Sequence, residues 1–207
     1  MKEKFEHLLI LFCSVIVLAV SSGCKEKQEA DLNFKKTNEY EFERKMMVYD
    51  LGNNVTNEVE IYINKNKDTI VCQNFVYNNK VLDSTESLFY TLKIKKNSDT
   101  DEYDGLISYH FNPEREGKLA SFDFTVISHK VKEKADFLSF DNYNIKNNSL
   151  EFKFKNRSDT VIGFMYAQHS KNIVENGEDK IQISEILLPV DNYPKTNNPF
   201  VEDLTLK

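Results

Sequence analysis

The sequence predicts an all-β protein, and three observations carry that prediction. Apolar residues alternate with polar ones at a period of 2, Asn- and Asp-rich turn signals recur at short intervals, and no amphipathic helix exceeds two turns. The expected body is two tandem antiparallel β-sandwiches, with one larger sandwich as the alternative. Of the 207 residues, 40% are hydrophobic and 29% charged, enough apolar content for a folded core. The six glycines, at positions 23, 52, 105, 117, 163 and 177, are never closer than 12 residues, so GxGxxG, P-loop and GxSxG motifs are absent.

The first element is an address rather than a strand. Met1-Lys-Glu-Lys4 precedes an apolar run from Leu8 to Val20, then Ser21-Ser-Gly-Cys24. A charged start, a short apolar stretch and small residues form a secretory signal, and the run is short of the ~20 residues a spanning helix needs. Because the small residues end on Cys24, the segment resembles the lipobox of bacterial lipoproteins, with cleavage between Gly23 and Cys24. That resemblance implies a diacylglycerol on the Cys24 thiol and a second acylation on its amine, hence a stable membrane anchor. Val20-Ser21 in place of the commoner Leu is a departure from the pattern. The expected location is the envelope, as an outer-membrane lipoprotein of a Gram-negative bacterium.

Residues 24–38 read as the lipidated Cys and a polar tether, 39–115 as the first sandwich, 116–188 as the second and 189–207 as a mobile or wrapped tail. In the body, Val59, Ile61 and Ile63 alternate with Glu60 and Tyr62, and Leu88, Tyr90, Leu92 and Ile94 with Phe89, Thr91 and Lys93. Phe122, Phe124 and Val126 alternate with Asp123 and Thr125, and Phe152 and Phe154 with Glu151 and Lys153. About eleven strands follow, one face apolar and the other wet. Lys130 to Phe137 is the best helical candidate. The division into two rests on an echo: Val59 to Val71 aligns with Leu150 to Ile162 at an offset of 91, about half of the mature chain, with three of 13 positions identical. An immunoglobulin-like unit takes ~100 residues, and the predicted architecture resembles the modular ectodomains of bacterial surface proteins.

Composition narrows the function classes. Net charge is −6 and stays −6 in the mature chain, because the signal removes two basic and two acidic side chains. Such a body repels nucleic-acid phosphates, so no nucleic-acid partner is expected. Cys13 leaves with the signal and Cys24 takes lipid, leaving Cys72 as a lone thiol expected to be buried in a strand. His110, His129 and His169 form no HExxH motif. In Asp99-Thr-Asp-Glu-Tyr-Asp-Gly105 the carboxylates of Asp99, Asp101 and Asp104 are a calcium candidate, but an EF-hand register fails, with Asp104 sixth and His110 twelfth. A solvated acidic turn is the expectation, and no metal or cofactor is assigned.

Tyr62, Tyr143 and Tyr193 are the exposed rings a glycan could stack on, since Trp is absent. Asp68-Thr-Ile70, Asp83-Ser-Thr85 and Asp159-Thr-Val161 resemble the O-glycosylation acceptor of exported Bacteroidota proteins, which would place sugar on Thr69, Ser84 and Thr160. The Asn- and Lys-rich composition fits that phylum. No catalytic residue set assembles, so the expected activity is that of a lipid-anchored, non-catalytic binding module whose partner is a protein or a glycan. The alternative is a periplasmic immunity protein whose acidic body neutralises a basic toxin. A hydrolase is the third reading, with no marked carboxylate pair.

Overall fold

A computed structural model describes residues 40–100, 102–129, 135–141, 148–156 and 158–205. The signal, Gly23, Cys24, the tether, Asp101 and Tyr143 lie outside the described residues.

The elements run β1 (Phe42–Gly52), β2 (Val55–Asn64), β3 (Thr69–Asn78), β4 (Val81–Leu82), β5 (Phe89–Lys96), β6 (Glu102–His110), α1 (Pro113–Glu116) and β7 (Lys118–His129). They continue with β8 (Ala135–Asp141), β9 (Ser149–Lys155), β10 (Ile162–Glu175), β11 (Glu178–Asp191), β12 (Lys195–Thr196) and α2 (Pro199–Thr205). All strand pairs are antiparallel. Three sheets result, in the orders β12-β1-β2-β3-β4, β11-β10-β7-β8 and β5-β6-β9. The all-β prediction holds.

Local chemistry sets the turns. Gly52, Asn53 and Asn54 all have positive φ in the β1–β2 hairpin, as do Asn176 and Gly177 between β10 and β11, the geometry for which Asn and Gly are suited. Gly105 serves a different purpose inside β6. A Cβ there would overlap the ring of Phe152 on β9, so the missing side chain is what lets that ring lie across the strand.

The predicted inward residues of two runs are buried, Phe122, Phe124 and Val126 on β7 and Phe152 and Phe154 on β9, whereas on β5 Tyr90 is buried together with Phe89, read as outward, and Leu92 and Ile94 are half-buried. Their rings join two sheets, with Phe124 centred 4.7 Å from Phe152 and Tyr109 6.0 Å from Phe122. In β2 the expectation fails. Tyr62, read as solvent-facing, is 0% exposed, and Ile61 on the opposite face is 8% exposed, so this part of β2 is covered on both faces, with the Tyr62 hydroxyl bonded to Asp191.

The division into domains 39–115 and 116–188 is corrected. β9, from the second half, pairs along its whole length with β6 of the first, and β12 pairs with β1. One continuous core runs from Phe42 to Val201, within a single compact unit, Thr37–Lys207. The expected boundary near 112–117 is the short helix α1, whose N-cap Asn112 accepts from the Glu114 amide. The echo is not a repeat either: β2 pairs with β3, whereas β9 pairs with β6 and β10 with β7 and β11. The similarity reflects strand-turn-strand chemistry.

Two further corrections concern the ends of segments. Of the helical candidate 130–137, residues 130–134 lie outside the described residues and the rest belongs to strand β8, with Phe137 opposite Ile127. The expected tail at 189–207 begins inside β11 and then wraps: Asn198 and Val201 are 0% exposed, and Phe200 packs 4.4 Å from the Phe164 ring.

Candidate functional site

β1 is anchored at its base, and beyond that its outer edge is unpaired among the described residues. The anchor is a buried polar network. Arg44 on β1 pairs through Nη2 with Glu60 on β2 and donates through Nη1 to the carbonyl oxygens of Asp191 and Tyr193. Gln73 donates from Nε2 to the second Glu60 oxygen at 2.6 Å and accepts from the Tyr90 amide at 2.8 Å. The Asp191 carboxylate accepts from Tyr62 Oη at 2.8 Å, Thr196 Oγ1 at 2.6 Å and Asn198 Nδ2 at 2.9 Å. Burial pushes the Asp191 carboxyl above its usual range, while these three donors and Arg44 pull it back. Burial alone would lower Arg44, but Tyr90, Tyr62, Glu60 and Asp191 around it outweigh that and hold the guanidinium charged. Each strong acceptor here has a structural donor, so the network staples the C-terminal wrap to β1 and β2.

Cys72 belongs to the same interior. It is 3% exposed, its thiol lies 3.4 Å from the Pro189 carbonyl oxygen, and burial together with Glu60 raises its pKa well above that of an ordinary thiol. It is inert for the reason the sequence suggested.

Beyond the anchor, β12 covers β1 only at Phe42 and Glu43, and the Arg44 amide donates to the Pro194 carbonyl oxygen at 2.7 Å. Backbone direction alternates along an antiparallel strand, so the N–H and C=O groups of Met46, Val48 and Asp50 also point away from β2. Among the described residues no strand pairs there. The side chains of this edge are apolar on both faces: Met46, Met47, Val48, Tyr49 and Leu51 are 41–63% exposed. Such an arrangement offers a ladder of backbone hydrogen bonds flanked by apolar contacts, the equipment of strand addition. The sequence reading missed it, although Met46-Met47-Val48-Tyr49 carried the signal: a run apolar at every position has no polar face to turn to water.

The residues singled out from sequence fall elsewhere. Asp99 sits in the turn before β6 and accepts from Ser98, while Asp104 lies in β6 with its carboxylate 3.4 Å from Lys153 Nζ. Among the described residues no three His, Cys, Asp or Glu side chains are grouped to hold a metal ion. His110 stacks on Phe89 at 4.4 Å, whereas His169 lies among Tyr109 and Phe111 on the other side of β6, so these two do not converge. Tyr193 is 42% exposed, but its hydroxyl is held by Asp159 at 2.6 Å. Tyr62 is unavailable to any glycan. Thr69 and Ser84 are exposed, at the start of β3 and in the turn before β5. Thr160 is half-buried, with Oγ1 2.7 Å from Ser158 Oγ.

No family model matches the chain, and the searches of curated proteins and of solved structures return no match.

Proposed function

We propose that this chain is a lipid-anchored cell-envelope protein that acts as a non-catalytic binding module, and that it binds through the outer part of β1. The carrying observation is the exposure of Met46, Met47, Val48, Tyr49 and Leu51 along an edge with outward-pointing backbone groups. Solvent-exposed strand edges of this kind are normally blunted by charge, proline or a covering element, and its persistence is best explained by a partner. The lipobox-like segment ending at Cys24 supports the anchor, which would hold the body close to the membrane while the hairpin stays free.

Two measurements test the two halves. Cys24→Ala is expected to release the full chain from the membrane fraction into the soluble one, and continued membrane retention would contradict the anchor. A photo-reactive side chain introduced at Tyr49 is expected to give a discrete adduct in intact cells. The same group at Val174, 73% exposed at the far end of β10, is expected to give none. No adduct at Tyr49, or equal adducts at both positions, would sink the β1 reading.

A further inference from the structure

We infer that the occupant of the β1 edge is a second copy of this chain, joined by antiparallel β1–β1 pairing about a two-fold axis at Val48. The inference rests on the reading of β1 as the binding edge and deepens it by naming the partner.

The limits of the edge select the register. At one end β12 and the Pro194 carbonyl close it at Arg44, and at the other the hairpin turn starts at Gly52. The open stretch is therefore residues 45–51, and its midpoint is Val48. A two-fold axis perpendicular to a sheet pairs residues that share a face, so only registers whose centre is a residue are allowed. Centring on Met47 would demand the Arg44 amide, which Pro194 already holds. Centring on Val48 uses the whole stretch and leaves β12 undisturbed.

In that register Val48 faces its own copy, and Met46 and Asp50 form the flanking hydrogen-bonded pairs, so three pairs contribute six backbone hydrogen bonds. On the outer face Met47 meets the partner's Tyr49, a favourable sulfur-ring contact, within the part of β1 that precedes the bulge at Leu51. The charges are compatible: the residue on the axis is uncharged, Asp50 opposes Met46, and no like charges stand opposite each other. β11, the other long edge, also exposes Ile181 and Ile183, but Glu178, Asp179 and Lys180 precede them and Glu185 and Pro189 follow, so it has no apolar run like Met46 to Tyr49.

The area is modest. The five apolar side chains of each copy, at 41–63% exposed, bury a few hundred Å² on pairing, less than the ~800 Å² per partner of a typical freestanding complex. Pairing is accordingly concentration-dependent and is strengthened when both copies are confined to one surface.

The test uses the full chain in its own envelope under mild oxidation, read on a non-reducing gel against the unaltered chain. Val48→Cys is expected to give a disulfide-linked dimer. Met47→Cys and Tyr49→Cys are each expected to give none alone but a dimer when the two variants are co-expressed, because each opposes the other across the axis. Val48→Lys, at a position 63% exposed in one copy, is expected to keep the circular dichroism of the parent while its native mass falls from dimer to monomer. Absence of the Val48 disulfide and of the mixed disulfide overturns self-pairing. If the Tyr49 adduct still forms and contains another protein, the binding edge stands and only its assigned occupant is wrong; if no Tyr49 adduct forms, both fall.

Discussion

Asp191 closes the chain on itself: one carboxylate takes hydrogen bonds from Tyr62 in β2, Thr196 in β12 and Asn198 before α2. Asp191→Ala strands these donors and removes a buried counter-charge from Arg44. We expect a loss of about 3–5 kcal/mol, read as a lowered urea midpoint with little change in slope. His169 gives a pH signature. It is 0% exposed among Tyr109 and Phe111, and burial lowers its pKa, with Glu116 offsetting part of the effect. The unfolded chain therefore takes up the proton more readily than the folded one. Stability should be unaffected by this group above the unfolded value near 6.5 and decline as pH falls below it. His169→Phe is expected to flatten that acid limb, measured as urea midpoint against pH; an unchanged limb would assign it elsewhere. None of this was legible in the sequence, since Arg44, Glu60 and Asp191 share no local spacing. Tyr62 lies on the face that alternation marks as wet, and it is buried because the C-terminal segment, through Asp191, covers that face, a long-range contact that leaves no local trace.

At the scale of elements, the legible part was the strands whose two faces differ. Phe122, Phe124 and Val126 against Asp123, or Phe152 and Phe154 against Glu151 and Lys153, are buried on the side their alternation indicates. Two kinds of element were not legible. A run apolar on both faces, such as Met46 to Tyr49, gives no side, and pairing between distant strands leaves no local trace, so the echo at residues 59 and 150 suggested a repeat that the pairing does not contain. Gly105 belongs to this second kind, because its partner Phe152 lies on another strand. Gly105→Ala should cost about 1–3 kcal/mol by forcing that ring aside. Combining it with Phe152→Leu should restore part of the loss relative to the sum of the single variants, and strict additivity would contradict the contact.

For the molecule as a whole, strands from both halves of the sequence share sheets and a core, and the C-terminal segment closes it. Two tandem domains would melt independently, whereas this arrangement predicts one cooperative transition, with calorimetric and van't Hoff enthalpies equal. Two resolved transitions would restore the tandem reading. Removing residues 192–207 deletes β12 and α2 and uncovers Phe164 and the Asp191 carboxylate, so the shortened chain is expected to lose most of its stability. Among the described residues the same closure leaves on β1 an unbroken apolar run, Met46 to Tyr49, with outward backbone groups still to be covered. Amide hydrogen exchange at Val48 tests that most directly. Its N–H is predicted to exchange rapidly in dilute protein and to become protected as concentration rises, while amides of β11 facing away from β10 stay unprotected throughout. Protection of Val48 that is already full in dilute protein, or absent at every concentration, would contradict the account.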